Sequence, residues 1–527
     1  MDILVLISYL SLAAVGISTV AYVYFDRKSF VNDRIVAIVL GLMISRSLTN
    51  SAVVGILMWY FSYYEGNLVL SAVFSNIQDS LSSLLVIFMA NLSDSFFGRF
   101  RTLLFSTTAY IGGVFLLYLF NPYDVKWLIV IALVLLALGT SGYKVLDEVL
   151  IELVDDIDTL KKPATLKNRD PELMDNVDTS EERKQLSKER AEIWSRIAYV
   201  SGTIIAILWV SPSGLAGVYL TWRAIFLICI CFMTTQLIVF IRGYKLYYQE
   251  ELNQRPAMIF FRVIGHYIGK YLCKCDCGCT AKRKHSGTTQ KAEGQDDRNA
   301  NLHKQDMAKV KILLKIFPMW VSYFVVALIS ATGSTFFIEQ YSNLKTSNKL
   351  PVQIYNNLIQ EGSKFLIPII YKKVTCSRRN NQKVKIGVGM FCSIVCCISA
   401  WQLEVHRLKA VKKLVDQNAN TSISFLLLVP QFLLLGCMEG LTNDGLSEFF
   451  KSQVDKDLEK YGEDYIEVVL GVGKLFTIAL ILIFKSRLGW FGKTINDSRL
   501  DKYYIFLVCV CSVNFLCYCC IATFWFK

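Results

Sequence analysis

Ala90-Asn91-Leu92-Ser93-Asp94-Ser95-Phe96-Phe97-Gly98-Arg99-Phe100-Arg101-Thr102 closes one long apolar block and opens the next. Gly98 permits a tight turn, and Asp94 can pair with a basic group or cap a helix start. Asp94, Gly98 and Arg99 together read as a latch between two helices. The flanking blocks are each long enough to cross a bilayer as a helix, which takes about 20 largely apolar residues. The stretch therefore predicts a hairpin of membrane helices rather than a piece of soluble core.

Working outward, the same pattern predicts spans near 3–25, 34–61, 67–92, 101–121, 126–150, 194–212, 221–242, 310–340, 352–371, 384–402, 423–448, 464–485 and 503–525. The first lacks the basic run of a signal peptide and is followed by Asp26-Arg27-Lys28, so it reads as an uncleaved anchor. The expected fold is all-α: an extra N-terminal span (1–25), an N-terminal six-helix bundle (34–242), a linker (243–309) and a C-terminal six-helix bundle (310–525). Arg27, Lys28, Arg34, Arg99, Arg101 and the basic run Lys372–Lys385 share one side with the polar connectors 151–193 and 243–309, which places that side in the cytosol. The basic connectors 403–422, with Arg407, Lys409, Lys412 and Lys413, and 486–502 fall on the other side, against the rule.

Composition agrees with a polytopic membrane protein. Of 527 residues 54% are hydrophobic and 19% charged, with a mean hydropathy of +0.41, against roughly 25% charged in soluble proteins. The net charge of +13 gathers beside apolar spans, which favours an anionic membrane face over nucleic acid. The 16 cysteines are no disulfide framework, since Cys392, Cys396, Cys397, Cys509, Cys511, Cys517, Cys519 and Cys520 sit inside spans as small apolar residues. Four histidines, no spaced His/Cys/carboxylate set, no Gly-x-Ser-x-Gly and no Gly-x-x-x-x-Gly-Lys-Ser/Thr leave metal, hydrolase and P-loop chemistry with little support. The chain is not expected to be an enzyme or to hold a metal or cofactor.

Several segments carry a resemblance. The latch stretch resembles the loop motif of the major facilitator superfamily. Val310–Trp320 followed by Ser334-Thr335-Phe336-Phe337, Pro430–Gly436 through Glu439 to Phe450, Gly139-Thr140-Ser141-Gly142-Tyr143-Lys144, and Trp490 through Asn514-Phe515 are similar, in collinear order, to the plant nitrate/peptide transporter family. That family is the plant branch of the proton-coupled oligopeptide transporters. The resemblance implies the major facilitator fold and a small-molecule substrate. It also implies roles for Lys144 and Glu439, which keep the family's charges, and for Asn76, which fits an Asn of the second core helix. Where the family's first core helix carries Glu-x-x-Glu-Arg/Lys, this chain has Arg46-Ser47-Leu48-Thr49-Asn50, so family-type proton coupling is not expected.

Charge inside a bilayer costs at least a few kcal/mol, so it faces a cavity or a partner. Asp79, Lys144, Glu361, Lys364, Glu439 and Lys474 form three cations and three anions, suited to mutual pairing or to an amphoteric or anionic ligand. Lys144 and Glu439 can form a pair across the bundles that breaks during transport, or a static one. Glu361 and Lys364 can pair on one helix face, and Lys474 can snorkel instead. Asn50, Asn76 and these charges are the substrate or coupling candidates. Of the aromatics Tyr143, Trp320, Phe336 and Phe337, plain packing is the favoured reading.

In the connectors, Pro256–Leu272 reads as an amphipathic helix on the inner face. Cys273, Cys275, Cys277 and Cys279 beside Lys282-Arg283-Lys284 fit palmitoylation near anionic lipid, with a soft metal or no role as alternatives. Thr102 matches a phosphorylatable threonine of some family members. Asn420 and Asn496 open glycosylation sequons on the predicted outer face. The expected function is a secondary or facilitative transporter in the plasma membrane, with a non-transporting interaction subunit as the alternative. The sequence sets neither the cargo nor an oligomeric state.

Overall fold

The computed structural model describes residues 31–120, 126–160, 178–210, 222–243, 312, 315–342, 349–375, 381–417, 425–454 and 462–525. The expected first span 3–25, the segment Pro256–Leu272, the cysteines at 273–279 and Asn420 lie outside these residues.

All regular structure among the described residues is helical. Before the linker come α1 (Val31–Ala52, continued by Val54–Ile56 and Leu57–Glu65), α2 (Leu68–Leu92), α3 (Gly98–Leu119), α4 (Lys126–Ser141 and Tyr143–Leu160), α5 (Asp178–Val210) and α6 (Trp222–Arg242). After it come α7 (Lys315–Gln340), α8 (Lys349–Val374), α9 (Asn381–Gln417), α10 (Val429–Gln453), α11 (Gly462–Ile483) and α12 (Leu500–Cys520). Among the described residues eleven candidate spans are long and apolar enough to cross a membrane by length and composition. Helix α8 falls short because Gln353, Asn356, Asn357, Gln360, Glu361 and Lys364 are spread along it. Gln353, Asn357, Gln360, Glu361 and Lys364 have internal partners, which is the condition for carrying them through lipid.

Two spans run further than their hydropathy indicates. Polar sequence beyond Leu150 was expected to be connector, yet α4 continues to Leu160 and α5 begins at Asp178. A helix needs apolar residues only on the stripe it buries, and Val149, Leu150 and Val154 pack in one cluster with Ala191 and Ala198 of α5. Helix α9, expected to end near 402, runs to Gln417 because its polar extension is internally satisfied. Arg407 is 1% exposed, pairs with Glu404 at 2.7 Å and donates to Asn496 Oδ1 at 2.6 Å. Arg407 is thus an interior cation and not a topological signal, which relieves part of the charge conflict at 403–422.

Each half has its own apolar core, and each core borrows from the other half. Leu48, Tyr60, Tyr110, Leu136 and Phe226 of the first half cluster with Ile354 of α8. The core of the second half, built on Phe336, Phe337, Phe432 and Tyr504, takes in Met58, Leu68 and Val69 from α1 and α2. This contact closes the halves on the side away from the linker. There α1 breaks at Val53–Ile56, and the exposed Gly55 carbonyl accepts from Asn357 at 3.2 Å and from Gln353. A helix break inside lipid is tolerated when a neighbouring helix satisfies the freed backbone, and here the neighbour belongs to the other half.

Candidate functional site

Between the halves lies a belt of charged side chains held near the middle and linker-side thirds of their helices. Lys144 of α4 reaches Asp464 of α11 at 2.8 Å and Glu463 at 3.7 Å. Lys474 of α11 meets Asp79 of α2 at 2.9 Å. Tyr143 donates to Glu467 of α11 at 3.3 Å. All three contacts join the first half to the second. Close packing of α2 on α11 supports them, with Ser80 Oγ donating to the Gly471 carbonyl at 2.7 Å.

A second cluster lies wholly within the second half. Lys364 of α8 stands 4.0 Å from Glu361 and 3.7 Å from Glu439 of α10. Glu439 also accepts from Ser330 at 2.6 Å and from Gln360 at 3.2 Å. The helices approach closely enough for this because Gly440 has no side chain: a Cβ there would collide with the Lys364 backbone carbonyl.

The expected candidates therefore separate. Lys144 and Glu439 do not form the cross-bundle pair that their charges suggested; each has a nearer partner of its own. Asn50 donates to the Tyr199 hydroxyl at 3.1 Å, within the first half. Asn76 is fully buried, with both carboxamide atoms unpartnered. Phe336 and Phe337 are completely buried, stacked or edge-on against Phe491 and Tyr504, which is packing. Trp320 stacks on Tyr465 at 5.5 Å.

The α2–α3 corner has its own ionic tie. Gly98 takes φ +74°, in the left-handed region, and Asp94 opens the turn Ser93–Phe97. Arg99 pairs with Glu152 and stands 3.9 Å from Glu148, both on α4. Thr102 is fully buried, its hydroxyl donating to the Gly98 carbonyl at 3.0 Å. A kinase reaches it only if the start of α3 opens. Asn496 is exposed as a residue while its carboxamide oxygen holds Arg407.

Sequence reasoning missed Arg46 as a structural centre and the acidic face of α11. Arg46 lies on the motif of the first core helix, 6% exposed, and donates to Thr107 at 3.1 Å, to Ser106 at 3.4 Å and to the Gly139 carbonyl, below the Tyr110 ring at 5.7 Å. Thr49 bonds back to the Ser45 carbonyl at 3.0 Å. On α11, Asp464, Glu467, Gly471 and Lys474 recur at three- and four-residue spacing, a helical face that could have flagged them. Among the described residues no group of three or more His, Cys, Asp or Glu is placed to hold a metal.

Residues 181–485 match the family model described as POT family. The chain is 25% identical over 513 residues to Protein NRT1/ PTR FAMILY 5.14 of Arabidopsis thaliana, covering 86% of each. It is 30% identical to Protein NRT1/ PTR FAMILY 5.9 of the same plant over 271 residues, covering 47% of each. Among solved structures, an auto inhibited POT family peptide transporter superposes with a TM-score of 0.65 at 13% identity, covering 92% of this chain and 96% of that one. A POT family transporter in complex with 5-aminolevulinic acid superposes at 0.60, with 11% identity, covering 93% and 96%.

Proposed function

This chain belongs to the POT family, as a divergent member of its nitrate/peptide transporter branch, and on that premise we propose that it carries a small solute by alternating access between its two six-helix halves. The carrying observation is the pair of ionic contacts that cross from one half to the other, the buried Lys144–Asp464 and the partly exposed Lys474–Asp79. A carrier must close its interior on one side while opening it on the other, and contacts between halves are what that motion makes and breaks. In this conformation the halves are tied at both ends. Gly55 meets α8 away from the linker, and Lys144 meets Asp464 on the linker side.

The belt supports a solute that is an anion, a peptide-like molecule or another small metabolite with a group that exchanges with one of these pairs. Family-type coupling through the first core helix is unsupported. Arg46 is engaged by neutral oxygens, and Thr49 and Asn50 have no proton to exchange near neutral pH. The plasma membrane is the proposed address.

The test is uptake in oocytes expressing the chain at the surface, against a panel of dipeptides, 5-aminolevulinic acid, nitrate and small organic acids. Saturable uptake of at least one compound, lost in Lys144→Ala, is the expected result. Surface protein with no uptake across the panel would instead support an interaction subunit.

A further inference from the structure

We propose that Cys517 and Cys520, on the lipid-facing side of α12 at its linker-side end, are S-acylation sites that each take a long-chain fatty acyl group as a thioester. The assignment is independent of what the carrier moves.

Packing divides the cysteines of α9 and α12. Cys396, Cys397 and Cys511 are buried where the two helices meet, with the Cys397 and Cys511 sulfurs 3.9 Å apart. Cys509, Cys517 and Cys520 are exposed, and Cys519 is half-buried. Ile505, Cys509, Val513, Leu516 and Cys520 follow one another at spacings of three and four residues, and all five are exposed. That is one continuous apolar face of the helix, with Cys517 on its flank, and in a bilayer it meets lipid. A thiol on this face is reached without opening the bundle, whereas those at the α9 contact are enclosed.

Depth separates Cys509 from the other two. Helix α12 has 21 residues, about 30 Å of rise, which matches the thickness of a hydrocarbon core. It begins after the exposed Lys493, Asp497 and Arg499, which set one boundary. Cys517 and Cys520 therefore lie in the last turn, at the opposite boundary, and Cys509 lies near the midplane. Tyr518 marks the same level by contact: its hydroxyl donates to the Lys383 carbonyl at 2.5 Å, in the first turn of α9. Lys383 belongs to the basic run Lys372–Lys385, whose charge assigns this side to the cytosol and favours anionic lipid. Phe524, Trp525, Phe526 and Lys527 come next in the sequence, aromatic and basic as at a membrane interface. Juxtamembrane cysteines in such a setting are substrates for reversible acylation.

The co-reactant is a long-chain acyl-coenzyme A. The cysteine sulfur attacks its thioester carbonyl carbon, the bond from that carbon to the coenzyme sulfur breaks, and the thiol proton ends on the departing coenzyme A thiol. One thioester replaces another, so neither oxidant nor reductant is consumed. An acyltransferase working at the cytosolic face reaches the end of α12 and not its middle, which leaves Cys509 free. The attached chain lies along a helix face already in lipid.

The test is acyl exchange on the full-length protein in plant-cell membranes. Free thiols are blocked, thioesters are cleaved with hydroxylamine, and each released thiol is tagged with a polyethylene glycol that adds one countable mass step. The expected result is that Cys517→Ser/Cys520→Ser loses two steps, while Cys273→Ser/Cys275→Ser/Cys277→Ser/Cys279→Ser keeps those two. Peptide mass spectrometry of the native chain, which needs no variant to fold, should find acyl groups on Cys517 and Cys520 and a free thiol at Cys509. Absence of hydroxylamine-released steps, an unchanged count in Cys517→Ser/Cys520→Ser, or release by reductant in place of hydroxylamine overturns the assignment. No solute enters the assay, so failed uptake removes the transport reading alone and failed exchange removes this one alone.

Discussion

Breaking the Lys144–Asp464 contact should open the linker side without unfolding the protein. Both side chains are well covered, 12% and 4% exposed, and 2.8 Å apart. Removing one member of a buried pair costs about 3 kcal/mol at the low end of the usual range. In Asp464→Asn, Lys144 keeps Glu463 at 3.7 Å, whose half-exposed side chain recovers about 1 kcal/mol. The net, about 2 kcal/mol, is a shift of about 30-fold in the closed-to-open ratio, because this pair exists only while the two halves touch. The assay is hydrogen–deuterium exchange of the full chain in nanodiscs, with amides of the Tyr143–Leu160 segment and the start of α11 as reporters. Buried amides of α9 serve as the internal reference. Lys144→Met, Asp464→Asn and the double variant form a cycle, and coupling near 2 kcal/mol is expected. Exchange unchanged in both single variants, or coupling indistinguishable from zero, would refute the claim that this pair holds the halves together.

Arg407→Ala should lower the thermal midpoint sharply with no change in the conformational reporters, since it leaves Glu404 fully buried without its cation, a loss of about 3–5 kcal/mol; Arg407→Ala with Glu404→Ala should recover part of that loss. Lys474→Asn should cost only about 1 kcal/mol in stability, because its partner Asp79 is one-third exposed, yet raise exchange at the α2–α11 contact. Thr102→Glu should destabilise the α2–α3 corner, as it forces a charge into a fully buried site, whereas phosphopeptide mapping of the native protein should find Thr102 unmodified.

The all-helical membrane fold was legible because lipid imposes length and hydropathy directly on sequence. Which charges meet was not. Charge type told that Lys144 and Glu439 needed partners, but pairing is set by helix rotation, and Lys144 found Asp464 while Glu439 found Lys364. Span ends were misjudged where polar residues continue a helix, as at Tyr143–Leu160, because hydropathy reports exposure to lipid and not hydrogen bonding. Arg407 misled for the same reason. Counted as a connector charge, it is in fact enclosed by Glu404 and Asn496. The pairing of Glu361 with Lys364 was readable because both lie on one helix, where spacing fixes geometry.

The ionic contacts now fall into two mechanical classes. Lys364–Glu439, Arg407–Glu404, and Lys385 with Asp444 and Glu448 stay inside the second half, and Arg46 with Ser106 and Thr107 stays inside the first. Rocking of rigid halves leaves these intact, so their free energy appears in global stability. Lys144–Asp464, Lys474–Asp79 and Tyr143–Glu467 cross between the halves, so rocking must break them, and their free energy sets the balance of conformations. Arg46 is fixed by neutral acceptors and an aromatic face, where it cannot report on solute or proton. The acidic face of α11 sits on the moving seam. Substitution of Arg46 should therefore lower global stability while leaving hydrogen exchange at the α4–α11 seam close to that of the native protein.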